Sequence, residues 1–220
     1  MRTIIVLGTT MALATSGLTA QVRVMRFGGG SAGATAILEE SPAAFGVSGW
    51  QVGQWARYSI SQNVGGPMPM AQFRTVSVVG RQGDRWWIET ATEFSGLTSG
   101  QGPVRKALVP FGPLRELPGG EAYVMNPDSS VRRESLVRAG TDRPAPAFPQ
   151  GWTRVGEEQV SVTAGAFRAV HWRKGDTELW TSGDAGPLGV VKFQSASVAI
   201  ELAARGATGA RTRIPFGGGD

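Results

Sequence analysis

Between Trp55 and Ala203 the chain is written in short runs rich in β-branched and aromatic residues, most of them ended by Gly, Asp or Ser. That spacing constrains the fold more than any other feature, because closely spaced strands with turn residues between them pair most readily as antiparallel neighbours. The clearest runs are 55–61, 72–79, 85–93, 158–163, 167–173, 177–181, 188–194 and 197–203. Gly80-Arg81-Gln82-Gly83-Asp84 reads as a hairpin connection, and Ala164-Gly165-Ala166 as a second break. In the middle, 121–125 and 131–137 read as strands, whereas 104–108 fits a strand or a helical turn. No long amphipathic helix and no internal repeat is visible. The expected fold is all-β with minor helix: a curved antiparallel sheet or a half-open β-barrel.

Composition narrows the chemistry. The 220 residues suit one domain, and 41% are hydrophobic, enough for a substantial core. The 32 glycines and 13 prolines make about a fifth of the chain, below the roughly 25–30% typical of low-complexity disorder. The sequence has no cysteine and one histidine, His171. Disulfides, thiolate–zinc sites, a cysteine nucleophile and a multi-histidine metal centre are therefore excluded, and no cofactor or metal is expected. The net charge of +5 is spread along the chain, with local concentrations only at Arg132-Arg133, Arg173-Lys174 and Arg211/Arg213. Nucleic-acid binding needs a denser basic stripe.

The two ends differ from the body. Residues 1–20 read as a secretory signal: Arg2 opens it, a short apolar stretch follows through Ala14, and Thr19-Ala20 offers a cleavage site before Gln21. The stretch is interrupted by Gly8, Thr9 and Thr10 and is too short for the ~20 apolar residues of a membrane span. Periplasmic or secreted placement follows, with no stable membrane span. Residues 21–48, carrying Gly28-Gly29-Gly30-Ser31, read as a flexible tether. Residues 49–205 form the single β-rich domain, and 206–220 read as a loose glycine-rich tail.

Motifs for catalysis are missing their context. Gly28-x-Gly30-x-x-Gly33 matches the letters of a dinucleotide fingerprint, but no strand–helix alternation follows it and Glu39 and Glu40 come too early for the ribose. Gly46-Val47-Ser48-Gly49-Trp50 lacks the final glycine of a nucleophile elbow. His171 lies in mid-strand, where alternation gives it one face of a sheet. Asp176 and Asp184 read as turn residues, and the pairing of Glu157, Glu158 or Glu178 across a substrate is not readable from spacing. The chain is therefore expected not to be an enzyme.

Seven tryptophans in one small domain are the strongest functional signal. Large rigid rings fill cores and also line apolar ligand sites. Trp86 and Trp87 are adjacent in a strand, so they face opposite sides. Trp55, Trp86, Trp172 and Trp180 are the candidate ligand-binding wall.

The residues from about 157 to 204 carry a resemblance. Val162-Thr163-Ala164-Gly165-Ala166-Phe167 leads into a strand, followed by Glu178-Leu179-Trp180-Thr181, by Pro187-Leu188-Gly189-Val190-Val191-Lys192 and by Glu201-Leu202. This order resembles exported bacterial proteins of uncharacterised function. It is also similar to the strand succession of LolA/LolB-type lipoprotein carriers, whose open β-barrel holds acyl chains. Gly53-Gln54-Trp55 resembles the Gly-x-Trp of lipocalin first strands, without the later motif of that family. The carrier resemblance implies an exported, non-enzymatic protein holding a lipid, acyl chain or other apolar small molecule in a barrel-like cavity. It brings no catalytic residue, and the lipobox cysteine of the outer-membrane type is absent. The alternative is an envelope-associated module that binds or assembles with another protein; a secreted hydrolase ranks below both.

Overall fold

The computed structural model describes residues 37–38, 42–62, 70–95, 100–112, 121–135 and 148–215. The expected signal segment and the Gly28–Gly33 loop lie outside them, as do residues 216–220. Among the described residues eleven strands form one sheet: β1 (Trp55–Gln62), β2 (Met70–Gln82), β3 (Arg85–Ser95), β4 (Gly100–Pro110), β5 (Glu121–Met125), β6 (Val131–Ser135), β7 (Thr153–Val162), β8 (Gly165–Lys174), β9 (Thr177–Thr181), β10 (Val190–Gln194) and β11 (Val198–Gly206). A short 3₁₀ helix at Pro42–Phe45 precedes them.

The order across the sheet is β6-β5-β4-β3-β2-β1-β11-β10-β9-β8-β7, antiparallel throughout. Two meanders, β1–β6 and β7–β11, are thus joined edge to edge by the first and last strands. The fold class expected from the spacing is the one observed. The sheet stays open, with β6 and β7 as its outer strands. It curls strongly, since β7 touches both β10 and β11.

Local sequence explains the connections. Gln82 pairs with Arg85 across the two residues Gly83-Asp84, and Gly83 takes φ +63°, the left-handed conformation a two-residue hairpin needs. The ambiguous 104–108 run is strand, because its register aligns Val104, Lys106 and Leu108 with Ala91, Glu89 and Trp87 of β3.

Strand alternation defines two faces. On the front, Ala56, Tyr58 and Ile60 of β1 align with Val76 of β2 and with Leu202, Ile200 and Val198 of β11; Ile88, Phe193 and Leu179 continue the same surface, and all are buried. Fully burying an aliphatic side chain of this size contributes about 1.5–3 kcal/mol. The front is covered by residues the sequence reading assigned to a tether: Ile37, Leu38, Phe45 and Val47 join this core. That approach is close, for a Cβ on Gly183 would overlap the Gly46 carbonyl and one on Gly189 would press on Phe45 and Val47.

On the back, Trp55, Ser77, Glu89, Lys106 and Tyr123 stand in one cross-strand row, beside a second row of Arg57, Thr75, Ala91, Val104 and Met125. Residues 207–215, expected to be loose, return across this face, where Ile214 is fully buried. At the other end of the sheet the β7–β8 hairpin folds over the same face. There Ala164 donates its N–H to the Leu202 carbonyl, and Thr163 donates to the Glu201 carboxylate.

Candidate functional site

The front face carries an aromatic band. Trp86 meets Trp50 edge-on at 6.3 Å, and Trp50 meets Phe111 at 5.1 Å. Phe148 stands 4.8 Å from Phe45, 4.9 Å from Trp172 and 5.9 Å from Trp152. Edge-on pairs at these separations are the favoured aromatic geometry. Two indoles are pinned by hydrogen bonds: Trp50 Nε1 donates to the Pro187 carbonyl at 2.7 Å, and Trp172 Nε1 to Thr181 Oγ1 at 3.0 Å. Trp50 and Phe45 are buried, whereas Trp86, Phe111, Phe148, Trp152 and Trp172 are half-buried. The rings are thus held by packing, and five of them keep part of their surface exposed.

Of the four tryptophans expected to form a wall, the structure brings Trp86 and Trp172 to the front. The register puts Trp55 and Trp180 on the back, because they align with Ser77 and with His171 and Lys192. Trp55 lies under the returning tail. Its Nε1 donates to the Thr208 carbonyl at 3.2 Å, and a Cβ on Gly206 would overlap its ring. Trp180 is buried and stacked on His171, with ring centroids 4.6 Å apart and planes inclined by 16°. Its Nε1 donates to Glu158 Oε1 at 2.5 Å, and Lys192 Nζ sits 5.3 Å from the ring centroid. Adjacent Trp87 faces the back as expected, packed against Tyr123 with Lys106 Nζ over it.

His171 Nδ1 lies 3.2 Å from Glu158 Oε1 and its Nε2 3.8 Å from Glu178 Oε1. Glu157 is shared by Arg154 and Arg168, and Glu178 pairs with Arg173. Glu157 and Glu178 are thus held by arginines, Glu158 and Glu178 flank His171, and Glu157 and Glu158 border a shallow cavity of about 390 Å³ with Ala166, Phe167 and Arg168. Asp176 and Asp184 sit in turns. Among the described residues no three His, Asp or Glu side chains are placed to share a metal ion. No helix among them is long and apolar enough to cross a membrane.

Two buried polar features escaped the sequence reading. Tyr58, 0% exposed, carries its hydroxyl into the front core with no hydrogen-bond partner, and burial pushes that hydroxyl well above the ordinary tyrosine range. On the back, Glu89 and Lys106 face each other in register at 4% and 2% exposure. Burial lowers the Lys106 ammonium from the ordinary lysine value, and the Glu89 charge partly opposes that. A charged residue inside a strand carries no local mark of burial. Only Ile214, an isolated aliphatic in a polar tail, hints that something docks there.

No family model matches this sequence, and no curated protein matches it. Among solved structures, the chain is similar to a Bacteroides fragilis protein described as exported and as having a YmcC-like fold. The identity is 10% and the TM-score 0.35, over 71% of this chain and 97% of that one. It is also similar to a DUF1329 family protein from Desulfovibrio piger, with 12% identity and a TM-score of 0.32 over 83% of this chain and 94% of that one. Neither is described as a lipoprotein carrier, and likenesses this distant carry no conclusion about this chain.

Proposed function

We propose that the chain is an exported, non-enzymatic binding protein that takes an apolar ligand, such as an acyl chain, against the front aromatic band. One observation carries the reading: two groups of half-buried rings lie on the front of a sheet whose outer strands are β6 and β7, Trp86 and Phe111 about Trp50, and Trp152 and Trp172 about Phe148. Rings already fixed by packing lose little freedom when a ligand docks, and the ligand's gain is the water released from both surfaces. Export rests on the signal-like residues 1–20. Trp86 and Trp172 are the wall residues in this reading. Trp55 and Trp180 are not, since they serve the opposite face.

A fluorescent fatty acid titrated into the full chain tests this. The expected result is saturable binding that quenches tryptophan emission and weakens in Trp86→Ala and Trp172→Ala but not in Trp180→Phe. Binding that ignores both front substitutions in folded protein would sink it.

A further inference from the structure

Residues 212–214 are held on the back face as a bound peptide is held. The Glu89 carboxylate accepts the backbone N–H of Arg213 at 2.9 and 3.1 Å and the N–H of Ile214 at 3.3 Å, and the Thr212 hydroxyl lies between it, at 2.9 Å, and the Ile214 carbonyl, at 2.7 Å. Lys106 Nζ, directly across the strand pair, donates to the Ile214 carbonyl at 3.0 Å. The two charges therefore grip the main chain on either side of one residue. The Ile214 side chain is fully buried with Ala91 and Val104, ringed by Tyr123, Met125 and Val131. Arg211 and Arg213 are exposed, and Arg213 reaches Glu93 at 3.8 Å. What is held in the groove itself is backbone, one hydroxyl and one aliphatic side chain two residues later.

Two further facts distinguish this from a simple anchor. A buried Glu–Lys pair is poor structural glue, since well-packed apolar residues usually stabilise a fold as much or more; what such a pair does well is discriminate among occupants. The tail also does not fill the groove it lies in. Toward β1, beside the small residues Gly209 and Ala210, a cavity of about 180 Å³ remains, lined on the sheet side by Trp55, Thr75, Ser77 and Glu89. We propose that this surface is a peptide-binding site, occupied in cis by the chain's own tail, whose intended ligand is an extended segment of another protein. That segment carries Thr or Ser two positions before an aliphatic residue, and a larger polar side chain where this chain has Ala210.

Ile214→Asp in the full-length chain frees the tail while leaving Glu89 and Lys106 intact. Two labelled peptides serve as probes: the sequence of residues 207–215, and the same peptide with Gln at the position of Ala210. The expected result is saturable binding of both to the folded variant, with the Gln peptide tighter and wild type weaker by about tenfold or more because its tail competes. Glu89→Gln added to Ile214→Asp should weaken binding by about tenfold or more, the worth of charged hydrogen bonds. No saturable binding, indifference to Glu89→Gln, or preference for the native peptide would overturn the proposal. Should Ile214→Asp fail to fold, hydrogen exchange on the wild-type chain decides. Excess Gln peptide should speed exchange of the Arg213 and Ile214 amides as the tail is displaced, and unchanged exchange would contradict the site.

Discussion

The two faces of the sheet are made by the same strands and held by different physics. The front is mainly apolar and aromatic, though it also buries Arg74 in register with Tyr58, and its cover, residues 42–50, is seated mainly by burial of Phe45, Val47 and Trp50. The back is organised by charges in register: Glu89 with Lys106 under the tail, Arg57 with Glu93 at 2.7 Å, and Glu158 beside His171 and Trp180. Non-directional burial tolerates substitution of one ring by another of similar size. The buried carboxylate of Glu89 tolerates far less, because removing it takes away the acceptor of the Arg213 amide, which donates to both of its oxygens. Slipping one strand by a residue would exchange the two surfaces. The buried pair on the back therefore also fixes the register on which the front depends.

Breaking the back should cost the most. Glu89→Ala removes the acceptor for two backbone amides and takes away the charge facing Lys106, for an expected loss of about 2–5 kcal/mol in chemical denaturation. A loss below 1 kcal/mol would mean that water enters freely beneath the tail. On the front, Trp50→Phe keeps an aromatic ring but loses the hydrogen bond to Pro187 and part of the buried indole, so a cost of about 1–3 kcal/mol is expected.

Tyr58→Phe sharpens the contrast through pH. The hydroxyl has no partner to lose, so the variant should match or slightly exceed wild type at pH 7. In the folded chain the hydroxyl is held above its ordinary value of 10.0, so the unfolded chain gives up that proton first as pH rises. Stability is then fully present below about pH 10 and falls above it by about 1.4 kcal/mol per pH unit. Urea titrations from pH 9 to 11 should show wild type losing that increment relative to Tyr58→Phe; parallel curves would place the hydroxyl in contact with water. The smallest effect belongs to the surface. Glu157→Gln, breaking the exposed pairs with Arg154 and Arg168, should move stability by less than about 1 kcal/mol.

How far the sequence discloses this arrangement varies by element. β5 and β9 occupy the residues expected of them, 121–125 and 177–181, because turn residues close both runs on both sides. β4 was ambiguous because Arg105 and Lys106 interrupt its apolar period; one points to each face, and only the partner strands reveal that both surfaces are covered. The joining of β1 to β11 depends on residues well over a hundred positions apart, and no local pattern encodes it. The same limit divides the tryptophans. Alternation separates Trp86 from Trp87, yet it offers no way to relate Trp55 to Trp172 across six intervening strands in the chain. The docked tail was hidden by its own composition, since glycine, threonine and arginine read as solvent-loving until a buried carboxylate meets their backbone.

The most direct test of the central claim is native mass spectrometry of the chain exported and purified gently from a bacterial envelope, followed by organic extraction of whatever travels with it. The front-face account predicts a stoichiometric adduct of lipid size that diminishes in Trp86→Ala and Trp172→Ala. A bare mass that persists after mixed envelope lipids are offered would contradict it.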